Sequence, residues 1–519
     1  MTALENWKDV GARKREVRDK CIPDAWKLET DHYVGRTNLL SVPSECGILT
    51  KEEITITEDY DAVGLVDAIR ARVFSAEAVT TAFCKRAAIA QQLTNCLTEM
   101  FFEEAIETAK TLDREREINP TRPLLPLHGL PISLKDSFNI EGKDSVIGLT
   151  CFVGQPAAKD SALTALLKSL GAVLFCKTNV PQTMMTADSD NNIYGRTLNP
   201  NNTSLTAGGS SGGEGALIAL RGSVLGVGTD IAGSIRIPSC ANGIYGFKPS
   251  SGLVPYAGQQ SPAPPGMVGI TPSAGPMATS MRSCLFFIEA VLKAKPSMFD
   301  CSVTKLPWLG LKPSSEPLRI GVAYNDSVYT PTPPMTRGLQ QSVHKLGEAG
   351  HKIIPISLPD FVVGLINKSG EPLVNSVAKT GLVEEPAKSL DEVFQLNHAR
   401  ALACQAYNKI WDTYQLDVIL TLPAPHTAMP LDEWTSITYT SLFNFLDYPA
   451  CVIPVGKVED VDAKDSDFMY GAMDENMYNL YTGPEEYKDA PITVQLVGRR
   501  QEDEQFVKMA VLVDGILNP

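Results

Sequence analysis

A chain of 519 residues with a formal net charge of −14 lacks the basic surface that a phosphate backbone requires, so nucleic acid is excluded as a partner. Its 11 cysteines are odd in number and scattered without paired spacing, which points to reduced thiols and a cytoplasmic location. The charged opening MTALENWKDVGARKREVRDK has no apolar signal segment, and no run approaches the ~18 apolar residues of a membrane span, so no stable membrane insertion is expected.

No low-complexity linker divides the chain, and the simplest organisation is one large domain over 1–519. Its first part, 1–120, is mostly helical in pattern, with Ser75 a cap for a helix through Ala90; such helices can pack on a sheet or form a homodimer surface. The second part, 121–260, carries the motifs. There Leu127-His-Gly-Leu-Pro-Ile-Ser-Leu-Lys-Asp136 reads as an apolar strand ending at Lys135. Asp160 is placed to cap a helix striped by Leu163, Leu166, Leu167 and Leu170, Gly171 ends it, and Ala172–Cys176 continues as a strand.

Between Thr206 and Pro249, serines and glycines surround a single Asp with no histidine. Gly208-Gly-Ser-Ser-Gly212 fits G-x-S-x-G, and so does the next register, but turn formers from Asn199 to Ser204 precede it where a nucleophile elbow needs a strand. Glu214–Leu220 reads as a helix, so Ser210 and Ser211 sit at its N-terminus, where free N–H groups favour negative charge. A phosphate cradle would share that logic, but no Gly-Lys-Ser/Thr follows. Ser223–Gly228 reads as a short buried strand running into Thr229-Asp-Ile-Ala-Gly-Ser-Ile-Arg236, with Pro238 opening a helix. A serine at that turn is exposed where backbone N–H groups converge, although a glycine turn braced by Asp230 and Arg236 explains the cluster equally well.

The third part, 261–519, repeats the α/β alternation: Arg319–Ala323 as a strand, a helix striped by Leu339, Val343 and Leu346, then Lys352–Ile356 as a strand. Gly258–Pro276 reads as a long loop and Glu459–Tyr487 as an acidic insertion.

Lys135, the Ser210 cluster and the Ser234 cluster together resemble the amidase signature family of serine hydrolases, over about residue 55 to the end. Lys135 and Ser210 are 75 residues apart and Ser210 and Ser234 are 24 apart, as in the family's Ser–Ser–Lys triad; Lys177–Pro181 and Gly-Phe-Lys-Pro249 also match. The resemblance implies an α/β fold with a large central mixed β-sheet flanked by α-helices. It implies Ser234 as nucleophile, Ser210 as bridging serine after a cis peptide at Gly209, and Lys135 as base, with no metal or organic cofactor. Backbone N–H groups of Ile231, Ala232, Gly233 and Ser234 would form the oxyanion hole, and Asp230 and Arg236 would brace the loop. Ser211 has two readings, a site hydrogen bond or a helix cap. Ala232 stands where the family usually has glycine, and its Cβ is costly if that position needs positive φ.

The implied reaction is hydrolysis of a small-molecule carboxylic amide to acid plus ammonia or amine. Tyr439–Pro449 and Val452–Pro454 look like the branch of fungal acetamidases and fatty acid amide hydrolases. By family position Met184 and Met185 are acyl-pocket candidates, with core packing as the competing reading; Ile193, Tyr194 and Trp434 are candidates for narrowing that pocket. Three alternatives are weighed, of which a non-catalytic binding protein is set aside by the intact triad that the resemblance implies. A tRNA-dependent amidotransferase subunit typically has Ser at the place of Glu214 and Gln at that of Ile237. A Ser–His–Asp esterase would pair Ser210 or Ser211 with His344, His351, His398 or His426.

Overall fold

The computed structural model describes residues 6–262, 269–312, 316–359 and 389–519. Among them eleven strands form one sheet: β1 (Leu97–Met100), β2 (Pro131–Lys135), β3 (Val173–Thr178), β4 (Leu225–Asp230), β5 (Tyr245–Lys248), β6 (Ser273–Ala278), β7 (Arg319–Val322), β8 (Lys352–Pro355), β9 (Val418–Thr421), β10 (Ala450–Lys457) and β11 (Pro491–Val497). Their order is β1-β3-β2-β4-β6-β5-β10-β11-β9-β7-β8. The pairs β3–β2, β2–β4, β9–β7 and β7–β8 are parallel and the others antiparallel, so the sheet is mixed. Every residue of β2, β3, β4 and β11 is buried, the mark of strands covered on both faces.

The helix Ala76–Thr94 starts where expected: Ser75 Oγ accepts from Ala78 N–H at 3.0 Å. Its end, Asn95, takes the left-handed conformation at φ 55° and uses its side-chain amide to hold the carbonyls of Tyr194 and Arg196. The short strand β1 lies inside the region whose pattern is mostly helical, between Ala76–Thr94 and Phe102–Ile118; four residues are too few for an alternation to show. Ser161, not Asp160, holds the N-cap position of Ala162–Ser169. Asp160 is used elsewhere, accepting from Glu141 N–H at 2.9 Å and from Lys168 Nζ.

The strand expected at Ser223–Gly228 begins two residues later, because Ser223 Oγ turns back to the Leu225 carbonyl at 2.9 Å. Of the loop expected over Gly258–Pro276, residues 263–268 lie outside the described residues, and its end gives way to β6 at Ser273. The acidic insertion contains the helix Ala472–Asn479, and Asp474 ties it to the segment between β7 and β8 by accepting from Thr330 N–H and Oγ1 at 2.8 and 2.6 Å. The two halves of the sheet meet where β5 pairs with β10, Cys451 opposite Phe247. No helix among the described residues is long and apolar enough to cross a membrane.

Candidate active site

Lys135 is the last residue of β2, flanked by the parallel strands β3 and β4, so it emerges at their shared carboxyl edge, where open α/β sheets place ligands. It is fully buried. Its Nζ donates to Ser210 Oγ at 2.7 Å and to Thr229 Oγ1, near the end of β4, at 2.8 Å. Burial pushes its amine down to about 7, against the opposing pull of Asp230, Glu214 and Asp136.

Ser210 follows a cis peptide with Gly209 and leads into the helix Gly212–Ala219. Ser234 lies in the turn between β4 and the helix Arg236–Asn242, half-buried where Lys135 and Ser210 are buried. Ser211 N–H donates to the Ser234 carbonyl at 3.2 Å and so ties the two serine segments together. Ser211 Oγ has no hydrogen-bond partner among the described residues and caps no helix N–H. That job falls to Ser189, whose Oγ accepts from Gly212 N–H at 3.0 Å.

The turn after β4 is organised by Asp230. Its carboxylate accepts from Gly233 N–H at 2.8 Å and Ile235 N–H at 3.1 Å, and pairs with the Arg236 guanidinium at 3.0 Å. Burial would push this carboxyl up, but the Arg236 charge and hydrogen bonds hold it well below the usual range. Arg236 in turn reaches Gln495 Oε1 at 2.9 Å and Asn444 Oδ1 at 2.5 Å. Gly233 adopts φ 136°, a backbone that disfavours side chains, and a Cβ there would stand 2.3 Å from Thr440 Oγ1. Ala232 is not among the residues with positive φ, so its Cβ carries no such strain.

Of the four N–H groups expected from the sequence to face an oxyanion, that of Gly233 donates to Asp230 Oδ1. Ile231, Ala232 and Ser234 remain as the N–H groups of this turn that Asp230 does not take.

Met184 and Met185 lie at a tight turn, Met184 half-buried at φ 62° and Met185 41% exposed. Ile193 and Tyr194 are buried with Val146 in a small cluster beneath the helix Trp7–Asp19, where Arg18 lies 5.3 Å over the Tyr194 ring and Arg15 holds the Ile193 carbonyl. Both are thus packed against the N-terminal helix. Trp434 is buried as well, its Nε1 donating to the Ser436 carbonyl at 2.9 Å and its ring 4.6 Å from His426, edge to face.

Among the described residues no histidine hydrogen-bonds Ser210, Ser211 or Ser234. His426 Nδ1 contacts the Thr427 carbonyl at 2.8 Å, and burial pushes that ring down to about 4; His351 Nδ1 accepts from Leu318 N–H. His344 and His398 belong to the helices Pro333–Glu348 and Leu390–Tyr414. The residues that sequence reasoning gave no role are Thr229, Thr440, Asn444 and Gln495. Thr440 and Asn444 reach the turn, and Gln495 reaches Arg236 beside it, each from more than 200 positions away.

Comparison with known proteins agrees with this architecture. The family description Amidase matches residues 78–366. An acetamidase of Aspergillus oryzae is 37% identical, covering 99% of this chain and 99% of its own. A putative amidase of Schizosaccharomyces pombe is also 37% identical, over 97% of this chain and 98% of its own. A solved fatty acid amide hydrolase superposes with a TM-score of 0.92 at 29% identity, covering 99% of this chain and 96% of that one. Fold and relatives define an amide-hydrolysing enzyme built on a large mixed sheet. The chain belongs to the amidase signature family.

Proposed function

We propose that Lys135, Ser210 and Ser234 form a proton relay that cleaves small to medium acyl or aryl amides through an acyl-enzyme on Ser234. The observation that carries this reading is the fully buried Lys135, 2.7 Å from Ser210, with its amine pushed down to about 7. An ordinary lysine is neutral in about one molecule in 2,500 at pH 7, whereas one at about 7 is neutral in roughly half.

In the acylation step neutral Lys135 accepts the proton of Ser210 Oγ, and Ser210 takes that of Ser234 as Ser234 Oγ bonds to the amide carbon. The N–H groups of Ile231, Ala232 and Ser234 hold the oxyanion, each worth about 3 kcal/mol of transition-state stabilisation. Collapse breaks the C–N bond, and the proton returns through Ser210 to the leaving nitrogen. Water, deprotonated along the same path, then attacks the acyl carbon and frees Ser234 and the acid.

The acetamidase named among the full-length relatives supports short acyl groups, at 37% identity. The fatty acid amide hydrolase fold supports a second reading, longer chains, at 29%. Eleven unpaired cysteines support a reducing, cytoplasmic setting for a single-domain enzyme. The test is a panel of acetamide, hexanamide, an aryl amide, an anilide and a long-chain fatty amide, with Ser234→Ala as control. Turnover is expected on the short and aryl amides and none from the variant; full turnover by Ser234→Ala overturns the assignment.

A further inference from the structure

We propose that Thr440 and Asn444 are positioning residues that clamp the turn Asp230–Ser234 and fix which of its N–H groups face the substrate. The proposal rests on the reading above, in which that turn holds the oxyanion.

The starting point is one peptide unit gripped at both ends. Between Ala232 and Gly233, the N–H donates to Asp230 Oδ1 at 2.8 Å while the carbonyl accepts from Thr440 Oγ1 at 2.6 Å. A peptide unit is a rigid plane, so fixing its donor and its acceptor fixes its rotation about the chain axis. The N–H has one hydrogen, already given to a carboxylate that Arg236 keeps ionised. Gly233 is thereby withdrawn from oxyanion binding, and the orientation of its two neighbours is set by a plane that cannot swing.

Thr440 is suited to this grip. Its hydroxyl has a single hydrogen and two carbonyls in reach, Ala232 at 2.6 Å and Ile437 at 3.1 Å, and the shorter contact is the one across to the turn. The approach is close enough that only glycine fits at 233. One helical turn further along Thr438–Phe445, and so on the same face, Asn444 Nδ2 donates to Asp230 Oδ1 at 2.9 Å and reaches the Asp230 carbonyl at 3.3 Å. The helix therefore holds both ends of the clamp: Thr440 the carbonyl, Asn444 the carboxylate that takes the N–H.

The helix is itself anchored. Tyr439 Oη donates to the Tyr329 carbonyl at 2.7 Å, and the Tyr439 carbonyl accepts from Gln495 Nε2 at 3.1 Å, the same Gln495 that receives Arg236. All of these side chains are buried, so water does not stand in for a lost partner at no cost.

The test compares Thr440→Val, which keeps the shape and removes the donor, with Thr440→Ser, which keeps the donor. Two readouts are taken: kcat and KM on the best amide of the panel, and the rate at which an alkyl fluorophosphonate bonds to Ser234 Oγ with loss of fluoride. The valine variant is expected to lose roughly 10- to 100-fold in kcat and in labelling rate, with KM within about threefold, and the serine variant to recover to within about threefold of the parent. Should the valine variant fold poorly, Thr440→Ala carries the same expectation, and melting curves identify that case. A valine variant equal to the parent, or a serine variant as impaired as valine, overturns the clamp while leaving the relay standing. Absence of labelling at Ser234 in the parent protein instead overturns the relay, and the clamp with it.

Discussion

Glu214 Oε2 accepts a hydrogen bond from Ser133 Oγ at 2.7 Å, and Ser133 stands two residues before Lys135 on the same face of β2. Its other oxygen accepts from Thr178, the register partner of Lys135 on β3, at 3.0 Å. On β4, Gly226 leaves the room this needs: a Cβ there would stand 2.0 Å from Oε2. One carboxyl from the helix Gly212–Ala219 thus bonds β2 and β3 and packs closely on β4. Burial pushes it up to about 8, against the hydrogen bonds from Ser133 and Thr178 and the charge of Lys135. Glu214→Gln, which keeps an acceptor and the volume, is expected to stay within about 1 kcal/mol of the parent. Glu214→Ala strands two buried hydroxyls over a cavity and should lose about 2–5 kcal/mol in urea unfolding. An alanine variant as stable as the parent would refute this bracing role.

The acidic limb of the rate should belong to Lys135. Its working form is neutral, so kcat/KM is expected to be half-maximal near pH 7 and to fall about tenfold for each further unit of acidification. Lys135→Ala should remove activity at every pH. A profile that stays level down to about pH 5 would show that the base is not this lysine.

Much of this site was legible because its signals are local. An apolar run ending in Lys135 and an apolar stretch after Glu214 placed a buried lysine and a helix start before any contact was known. What escaped was long-range. Thr440 and Asn444 meet Asp230 and Ala232 across 208 to 214 positions, and no pattern near either end announces that meeting. Ile193 and Tyr194 are pocket-narrowing candidates in the sequence, with nothing nearby to show what they pack against. They meet Arg15 and Arg18 of the N-terminal helix, 175 or more positions upstream. Asp160 and Ser161 are both good caps by chemistry, and their side chains go elsewhere, Asp160 to Glu141 N–H and Lys168 and Ser161 to Thr164 Oγ1.

Ala232 and Gly233 should respond in opposite ways to exchange. Ala232 has no positive φ, so Ala232→Gly is expected to keep kcat/KM within about threefold and to lose at most about 1 kcal/mol of stability through added backbone freedom. Gly233→Ala puts a methyl 2.3 Å from Thr440 Oγ1 at φ 136°, and the turn must shift. A loss of roughly 100-fold in kcat is expected, since a displacement of about 1 Å is enough for that. Parallel steady-state kinetics on the two variants checks the contrast, and equal losses would contradict it.

Burying Lys135 should also show in stability, with a definite sign. Its amine titrates at about 7 when folded against 10.5 as the ordinary value, so between those limits the unfolded chain binds the extra proton. Stability owed to this group therefore rises with pH across that window and is lowest below pH 7. Lys135→Met removes the group and its burden. The variant is expected to exceed the parent by a few kcal/mol at pH 6, less what is lost by leaving the Ser210 and Thr229 hydroxyls without their donor. That difference should shrink steadily toward pH 10, as the pH nears the ordinary value of 10.5 above which the lysine is mainly neutral in the unfolded chain too. Denaturant titrations of both proteins at pH 6, 8 and 10 measure it directly. A gap independent of pH would mean that Lys135 keeps its ordinary basicity inside the fold, and the relay would then lack its base.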